Sequence, residues 1–447
     1  MNLRSLLVPS LLVISACAQP SAVIVPRPFT ARGECCFTQG LAIAERHKVS
    51  AISTRRFTAN EYWGALAGPL GSSRFRTEEI GRSVQGRPLT AIHVGTGPVR
   101  VLAWSQMHGD ESTASMGLLD LMSWLGAVDA DSVRDRLLTG ITLTLVPMLN
   151  PDGAELFQRH NALGVDINRD ARRLSTPEAR ALKDLHDRLR PDFGFNLHDQ
   201  NARNLAGAGG RQVGISLLAP AISADGRYDG VRSRARLVAA RIASNLAGVI
   251  PGQVSRYDDA FNPRAFGDLI QTWGTSTVLI ESGALAGDPE KQRLRALNVA
   301  ALVDAFIAIG EGTYARSDPA WYDDLRQNRG GAVDVLVRGA RVVGLGPEAY
   351  LVDIGIIYGD AVARTQPRVS EVGDLSAVVA LDTLDAAGLF LHPARAMLTT
   401  QDGRRWLRIG NTAVFTLSPS DTAARAAGYT TFPAGSTAVP RAPLGAQ

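Results

Sequence analysis

At 447 residues and 45% hydrophobic content, the chain is long enough for two or three domains, each able to bury a core of its own. Its 47 Lys and Arg against 43 Asp and Glu leave a net charge near +4 with no long basic run. That balance argues against a polyanion binder, so no nucleic acid partner is expected. At the N-terminus Arg4 gives a short positive region. Residues 6–14 follow as an apolar run too short to span a bilayer in a mature protein, and Ile14-Ser15-Ala16-Cys17 places a cysteine after small residues.

This start resembles the lipobox of bacterial lipoproteins. The resemblance implies a signal peptide over residues 1–17, with Cys17 as the lipidated first residue of the mature protein and its lipid held in a membrane. Ala18-Gln19, lacking an Asp, implies the periplasmic side of the outer membrane. The alternative is cleavage after Ala16-Cys17-Ala18, which has the small-x-small form and would release a secreted soluble protein. Cys35 and Cys36 are sequence neighbours and cannot build a disulfide framework. Residues 18–56, with Pro20, Pro26 and Pro28, read as a tether.

From 57 to 310, apolar strand-like runs alternate with amphipathic stretches, the pattern of an α/β domain. Strands are expected at 89–95, 99–106, 141–148, 192–197, 215–219 and 276–281, and helices at 113–126, 177–189, 232–247 and 290–308. Ser112 precedes the first of these helices as a candidate cap. Residues 311–331, rich in Asp, Arg, Gly and Tyr, read as a linker. Over 332–431, short β-branched runs separated by Gly turns predict a small all-β domain. The phrases at 334–343 and 386–393 resemble the β-sandwich of amidohydrolases, but the metal-binding His-x-His of that family is absent, so only the shape is implied. His392 is taken as structural. The tail, 432–447, rich in Pro, Ala and Gly, is expected to be disordered.

Two of these strand-like runs end in histidine. Residues 99–106 run into Met107-His108-Gly109-Asp110-Glu111, and residues 192–197 run into His198. In open α/β sheets, ligand sites lie outside the carboxyl ends of the strands. Two imidazoles and a carboxylate are zinc ligands, and three protein ligands leave a fourth position for water. His108, Glu111 and His198 are therefore candidate ligands for one zinc ion. With seven histidines in the chain, His-x-x-Glu alone is a weak signal.

Further along the chain stand Asn150-Pro151-Asp152-Gly153, Arg159, Asn161, Gly164-Val165-Asp166 and Asn168-Arg169, and a late β-run ends in Glu281-Ser282-Gly283. In this order, and with Gly81-Arg82-Ser83-Val84-Gln85-Gly86-Arg87-Pro88 upstream, residues 57–310 resemble the carboxypeptidase A-like zinc metallopeptidases. The resemblance implies a mixed central β-sheet flanked by helices. It also implies a hydrolase acting on peptides with a free C-terminal carboxylate. Glu281 would be the general base, taking the proton of a water that the metal activates. Arg159 would stabilise the oxyanion as it develops, and Asn168 with Arg169 would hold the substrate carboxylate. Asp166 would fix the tautomer of His108. The Asn150 to Gly153 segment is by itself an ordinary turn.

Departures from the family pattern bear on the pocket. Asp170 follows Asn168-Arg169 where the family has Asn, a change that either weakens the carboxylate pocket or faces solvent. The family's mobile Tyr has Tyr257 as its candidate, at about the right distance before Glu281. Asp268 falls near the segment that lines the side-chain pocket and implies a basic or amine-bearing terminal residue. Cell-wall stem peptides and periplasmic peptides both fit. Two other readings stay open: a deacylase of N-acyl amino acids with the same metal set, and a catalytically silent binding module.

Overall fold

The computed structural model describes residues 34–422 and 431–432. The signal segment with Cys17 and most of the expected disordered tail lie outside the described residues. Helices α1 (Glu34–Arg46) and α2 (Ala59–Leu70) lead into β1 (Arg76–Arg82), β2 (Pro88–Val94) and β3 (Val99–Ser105). Next come α3 (Thr113–Gly126), α4 (Ser132–Gly140), β4 (Ile141–Val146), α5 (Pro151–Leu156) and α6 (Pro177–Leu189). They are followed by β5 (Phe193–Asp199), β6 (Leu205–Ala206), β7 (Ile215–Leu218), α7 (Gly230–Ala247), β8 (Val254–Arg256), α8 (Phe266–Thr272), β9 (Ser276–Ser282) and α9 (Gln292–Gly310). Each strand and helix expected between 57 and 310 is present, with ends shifted by no more than two residues.

Eight strands form one mixed sheet in the order β1-β2-β4-β3-β5-β9-β7-β8. The four central strands β4, β3, β5 and β9 run parallel, and antiparallel pairings flank them. Alternate residues of β3 divide between two cores. Val101 and Ala103 join the cluster under α3, α7 and α9, whereas Leu102 and Trp104 join the one under α6 and α8. Helices on both faces explain why the central strands read as unbroken apolar runs. The carboxyl ends of β3, β5 and β9 come out side by side.

The segment read as a tether is in part structural. Phe37, Ile43 and Ala44 of α1 are buried against the main core, and a Cβ on Gly40 would lie 2.7 Å from Ala300 Cα of α9. Only glycine permits that approach of the two helices. The apolar faces of 37–44 were masked in the sequence by the prolines ahead of them.

The expected linker also packs. Helix α10 (Ala320–Asp323) buries Tyr322, whose hydroxyl accepts a hydrogen bond from Ala219 N at 3.0 Å. Strand β10 (Asn328–Arg329) pairs antiparallel with β6. Beyond it lie β11 (Val333–Val342), β12 (Tyr350–Asp360), β13 (Thr365–Gly373), β14 (Ala380–Asp385), β15 (Phe390–Pro393), β16 (Leu398–Gln401), β17 (Arg404–Leu407), β18 (Phe415–Ser418) and β19 (Thr431–Phe432). Seven of these make a second sheet, β13-β12-β11-β15-β18-β19 with β14 also on β11, and β16 pairs with β17. His392 Nε2 lies 3.2 Å from Ser418 Oγ and 2.9 Å from Ser420 O, within the β region and away from the first sheet. The two sheets are joined by the Arg55–Asp360 ion pair and by Arg203 Nε donating to Asp334 Oδ2 at 2.8 Å. Among the described residues no helix is long and apolar enough to cross a membrane.

Candidate metal centre and cleft

β3 ends at Ser105, and Gln106 turns the chain with a positive φ of 48°. The turn is closed by Gln106 Nε2 donating to Gly109 O at 3.0 Å. A Cβ on Gly109 would lie 2.0 Å from Gly153 C, so this loop and the start of α5 touch backbone to backbone. The Asn150 to Gly153 segment is more than a turn. Asn150 caps α5 by accepting from Gly153 N at 2.9 Å, and buried Asp152 accepts from Ser83 Oγ at 2.8 Å and from Gln85 N at 3.0 Å. Ser112 stands at the cap position of α3 but makes no capping bond; its hydroxyl donates to Arg55 O at 2.5 Å.

The three candidate ligands converge. His108 Nδ1 lies 2.7 Å from Glu111 Oε1, and His198 Nδ1 lies 2.6 Å from Glu111 Oε2. One ligand atom from each falls within 4.8 Å of the others, and all three residues are buried. Two imidazole nitrogens and a carboxylate aimed at one point fit a zinc ion, with each ring directing Nδ1 to the shared centre. On its other side His108 Nε2 is 3.0 Å from Asp166 Oδ1. Burial pushes the His108 imidazole down, but the carboxylates of Glu111 and Asp166 outweigh it and bring it up to about 9. His198, wholly buried, is pushed below the usual histidine range. A proton on His108 is thus the natural competitor of a cation here.

Asp166 is a hub. Burial would raise its carboxyl, yet His108 and Arg159 hold it well below the usual carboxylate range. Arg159 Nε and Nη2 donate to Asp166 Oδ2 at 3.1 and 2.9 Å, and Nη1 reaches Glu111 Oε1 at 3.1 Å. The guanidinium is therefore fixed beside the ligand set while its side chain stays 38% exposed, available to a bound molecule. Asp166 Oδ1 also accepts from Asn168 N at 2.9 Å, capping the single turn Ile167–Arg169.

Asn168 Oδ1 accepts from Phe266 N at 2.9 Å, which ties this turn to α8. Arg169 is exposed, with Nη1 donating to Asn168 O at 2.8 Å. Both border one cleft together with Tyr257, Asp268, Glu281 and the three ligands. Glu281 lies on β9 directly opposite His198 of β5. Burial, then the nearby Glu111 and Asp199 carboxylates, push its carboxyl well above the usual range. The Tyr257 phenol is raised above its ordinary value, first by the Glu281 charge and then by burial, and both residues line the cleft. Asp268 is 9% exposed, accepts from Asn262 N at 2.9 Å, and is raised by burial to about 6. Asp170 fills neither of the roles considered for it. It is buried and accepts from Ser175 N at 2.9 Å and Thr176 N at 2.7 Å, shaping the loop before α6.

Several residues of the site carried no assignment from the sequence. Asp199 N donates to Glu111 Oε2 at 3.1 Å, and its carboxylate accepts from Thr113 Oγ1 at 2.7 Å and Lys291 Nζ at 2.9 Å. Its place directly after His198 was the available signal. Lys291, left-handed at φ 53° and buried, had none. Asn328, from β10, also borders the cleft.

Residues 68–201 match the zinc carboxypeptidase family. The chain is 34% identical over 102 residues to Carboxypeptidase SOL1 of Arabidopsis thaliana, covering 21% of each protein. It is 27% identical over 171 residues to Probable carboxypeptidase 2 of Arthroderma benhamiae, covering 37% of this chain and 31% of that protein. It thus spans between a fifth and a third of the length of these relatives. Among solved structures, a metallo-carboxypeptidase from Burkholderia cenocepacia aligns with a TM-score of 0.47 at 19% identity, over 58% of this chain and 70% of that one.

Proposed function

This chain carries a zinc carboxypeptidase domain over residues 68–201, and from that premise we propose that it removes C-terminal residues from peptides by hydrolysis. The observation that carries the proposal is the single cleft shared by His108, Glu111, His198, Glu281 and the Asn168-Arg169 turn. One zinc ion would be held by His108 Nδ1, Glu111 and His198 Nδ1. When bound, it supplies Lewis acidity toward the scissile carbonyl and lowers the pKa of water.

The remaining work falls to side chains. Arg169 and the Asn168 amide take the substrate's terminal carboxylate, a charge that a guanidinium fork binds in two-pronged fashion. Arg159, held by Asp166, donates to the carbonyl oxygen as negative charge gathers on it. Glu281 accepts the proton of the attacking water and returns it to the departing amine nitrogen. Burial and the Glu111 and Asp199 carboxylates raise its carboxyl in the absence of a cation, and a dication held by the ligand set would favour the ionised form that accepts the proton. Tyr257 closes the cleft beside Glu281. Asp268, once ionised, favours a cationic terminal side chain.

Peptides of the periplasm and cell-wall stem peptides, whose diamino acid bears an amine, are the substrate classes in view. The lipobox-like start supports an outer-membrane lipoprotein facing the periplasm, with secretion as the alternative. The test is a panel of peptides with free and amidated C-termini, assayed with and without chelator. Metal-dependent release of the last residue from free termini only is expected. Equal cleavage of amidated peptides would sink the assignment. Turnover of N-acyl amino acids alone would favour a deacylase, and no turnover a binding module.

A further inference from the structure

One residue lining the cleft comes from the stretch that joins the two sheets. After α9 the chain passes through α10 and returns to the cleft border as the strip 326–329. This strip is clamped on two sides. Arg256 N donates to Arg326 O at 2.8 Å from the end of β8, and Gly207 N donates to Gln327 O at 2.8 Å. Asn328 and Arg329 then pair with Ala206 and Leu205. Asn328 is thereby delivered to the cleft border by the stretch that joins the two sheets.

Its amide is oriented. Asn328 Nδ2 donates to Gln200 Oε1 at 2.6 Å, and Gln200 is itself fixed by Nε2 donating to Ser216 Oγ at 2.7 Å. With Nδ2 committed, Asn328 Oδ1 is left buried with no hydrogen-bond partner. A buried carbonyl oxygen without a donor is costly, so a donor from a bound molecule would be well received.

The partners of Asn328 also say which part of a substrate it meets. The turn assigned to the terminal carboxylate is tied to α8 through Phe266, and Asp268 belongs to the same group. Asn328 is tied instead to Gln200, two residues beyond His198, and the Gln200 amide Nε2 also donates to Glu281 O at 3.4 Å. Its ties thus run to the segment after β5 and to β9, whereas the Asn168 turn is tied to α8. Resting on the carboxypeptidase reading for the direction of the peptide, we infer that Asn328 is a binding residue for the acyl side of the substrate. Its Oδ1 accepts a backbone N–H upstream of the scissile bond. The joining strip therefore sets a preference for peptides over acylated single amino acids.

The experiment uses the full chain and two measurements on a length series: an acetylated single amino acid, which has no N–H on the acyl side, and acetylated di- and tripeptides with the same last residue. Binding is measured by calorimetry in a Glu281→Gln background, and kcat/KM in the otherwise unaltered enzyme. Melting temperature and metal content establish that each variant is folded and loaded. Asn328→Ala is expected to weaken binding of the longer peptides about tenfold, about 1.4 kcal/mol, with a much smaller change for the acetyl amino acid. Asn328→Asp, which keeps an acceptor oxygen, should recover most of that loss. A loss uniform across the series, or no loss, overturns the subsite. If the unaltered enzyme hydrolyses none of the series while the length-dependent binding loss is present, the carboxypeptidase reading falls and Asn328 stands as a binding contact for the upstream peptide N–H. Absence of any peptide binding overturns the subsite as well.

Discussion

His198 and Glu281 are Cα partners on the adjacent parallel strands β5 and β9. The same ladder of backbone hydrogen bonds thus sets a proposed ligand and the proposed base side by side, on buried strands rather than on loops. Function then divides cleanly between them. Glu281→Gln should keep its zinc, one ion per chain, while kcat falls by roughly 10²- to 10⁴-fold, the usual worth of a positioned acid or base. His198→Ala should lose both metal and activity. Metal analysis alongside turnover separates the two, and a Glu281→Gln protein that comes out metal-free would contradict the division.

Asp166 joins two functions, because one oxygen faces His108 and the other binds Arg159. Asp166→Ala is expected to weaken zinc binding by about 10- to 100-fold, as loss of a ligand's supporting carboxylate does elsewhere. It should also lower kcat in metal-saturated enzyme by releasing the guanidinium. Arg159→Ala should lower kcat alone. A chelator titration of the two variants distinguishes them, and equal metal affinity in both would remove Asp166 from its supporting role.

Gly109 is held to its identity by space. A Cβ there would meet Gly153 C at 2.0 Å and Ala154 N at 2.3 Å, both backbone atoms that cannot swing aside. Gly109→Ala should therefore separate the His108 to Glu111 loop from α5 and lower stability by about 1–3 kcal/mol, the scale of overpacking in a filled interior. Urea unfolding reads that loss directly. Metal affinity should fall with it, since the loop carries two ligands.

Much of this could be seen in the chain itself, because the central strands are buried on both faces and therefore read as plain apolar runs. The candidate ligand set was legible for a related reason: both histidines end such runs. What stayed hidden depends on contacts distant in sequence. Residues 34–46 looked like a tether because their burial depends on α9, which begins at Gln292, far along the chain. Lys291 has no local pattern, since its left-handed backbone and its bond to Asp199 are consequences of packing. Asn328 lay in a stretch whose composition suggested only a connector, and its place at the cleft comes from pairing with β6. Asp170 was misjudged because its partners, the backbone amides of Ser175 and Thr176, give no side-chain signature.

If Asp268 lines the side-chain pocket as proposed, selectivity is expected to depend on pH. Burial raises its carboxyl to about 6, so it is largely neutral at pH 5 and largely ionised at pH 7.5. For stability the sign follows from the raised value. The unfolded chain ionises this group near its ordinary 3.8, whereas the folded chain resists until about 6, so its contribution favours the folded state at low pH and is lost as pH rises across that window. For binding the sign is reversed, because only the ionised form attracts a cationic side chain in the pocket. Between pH 5 and 7.5 the ionised fraction rises roughly tenfold, and the ratio of kcat/KM for Lys- over Leu-terminated peptides should rise by about the same factor. Lysine keeps its charge throughout, so the change belongs to the enzyme. Asp268→Asn should flatten the ratio across this range while leaving zinc content intact. A ratio independent of pH in the unaltered enzyme would place Asp268 outside the selectivity of the pocket.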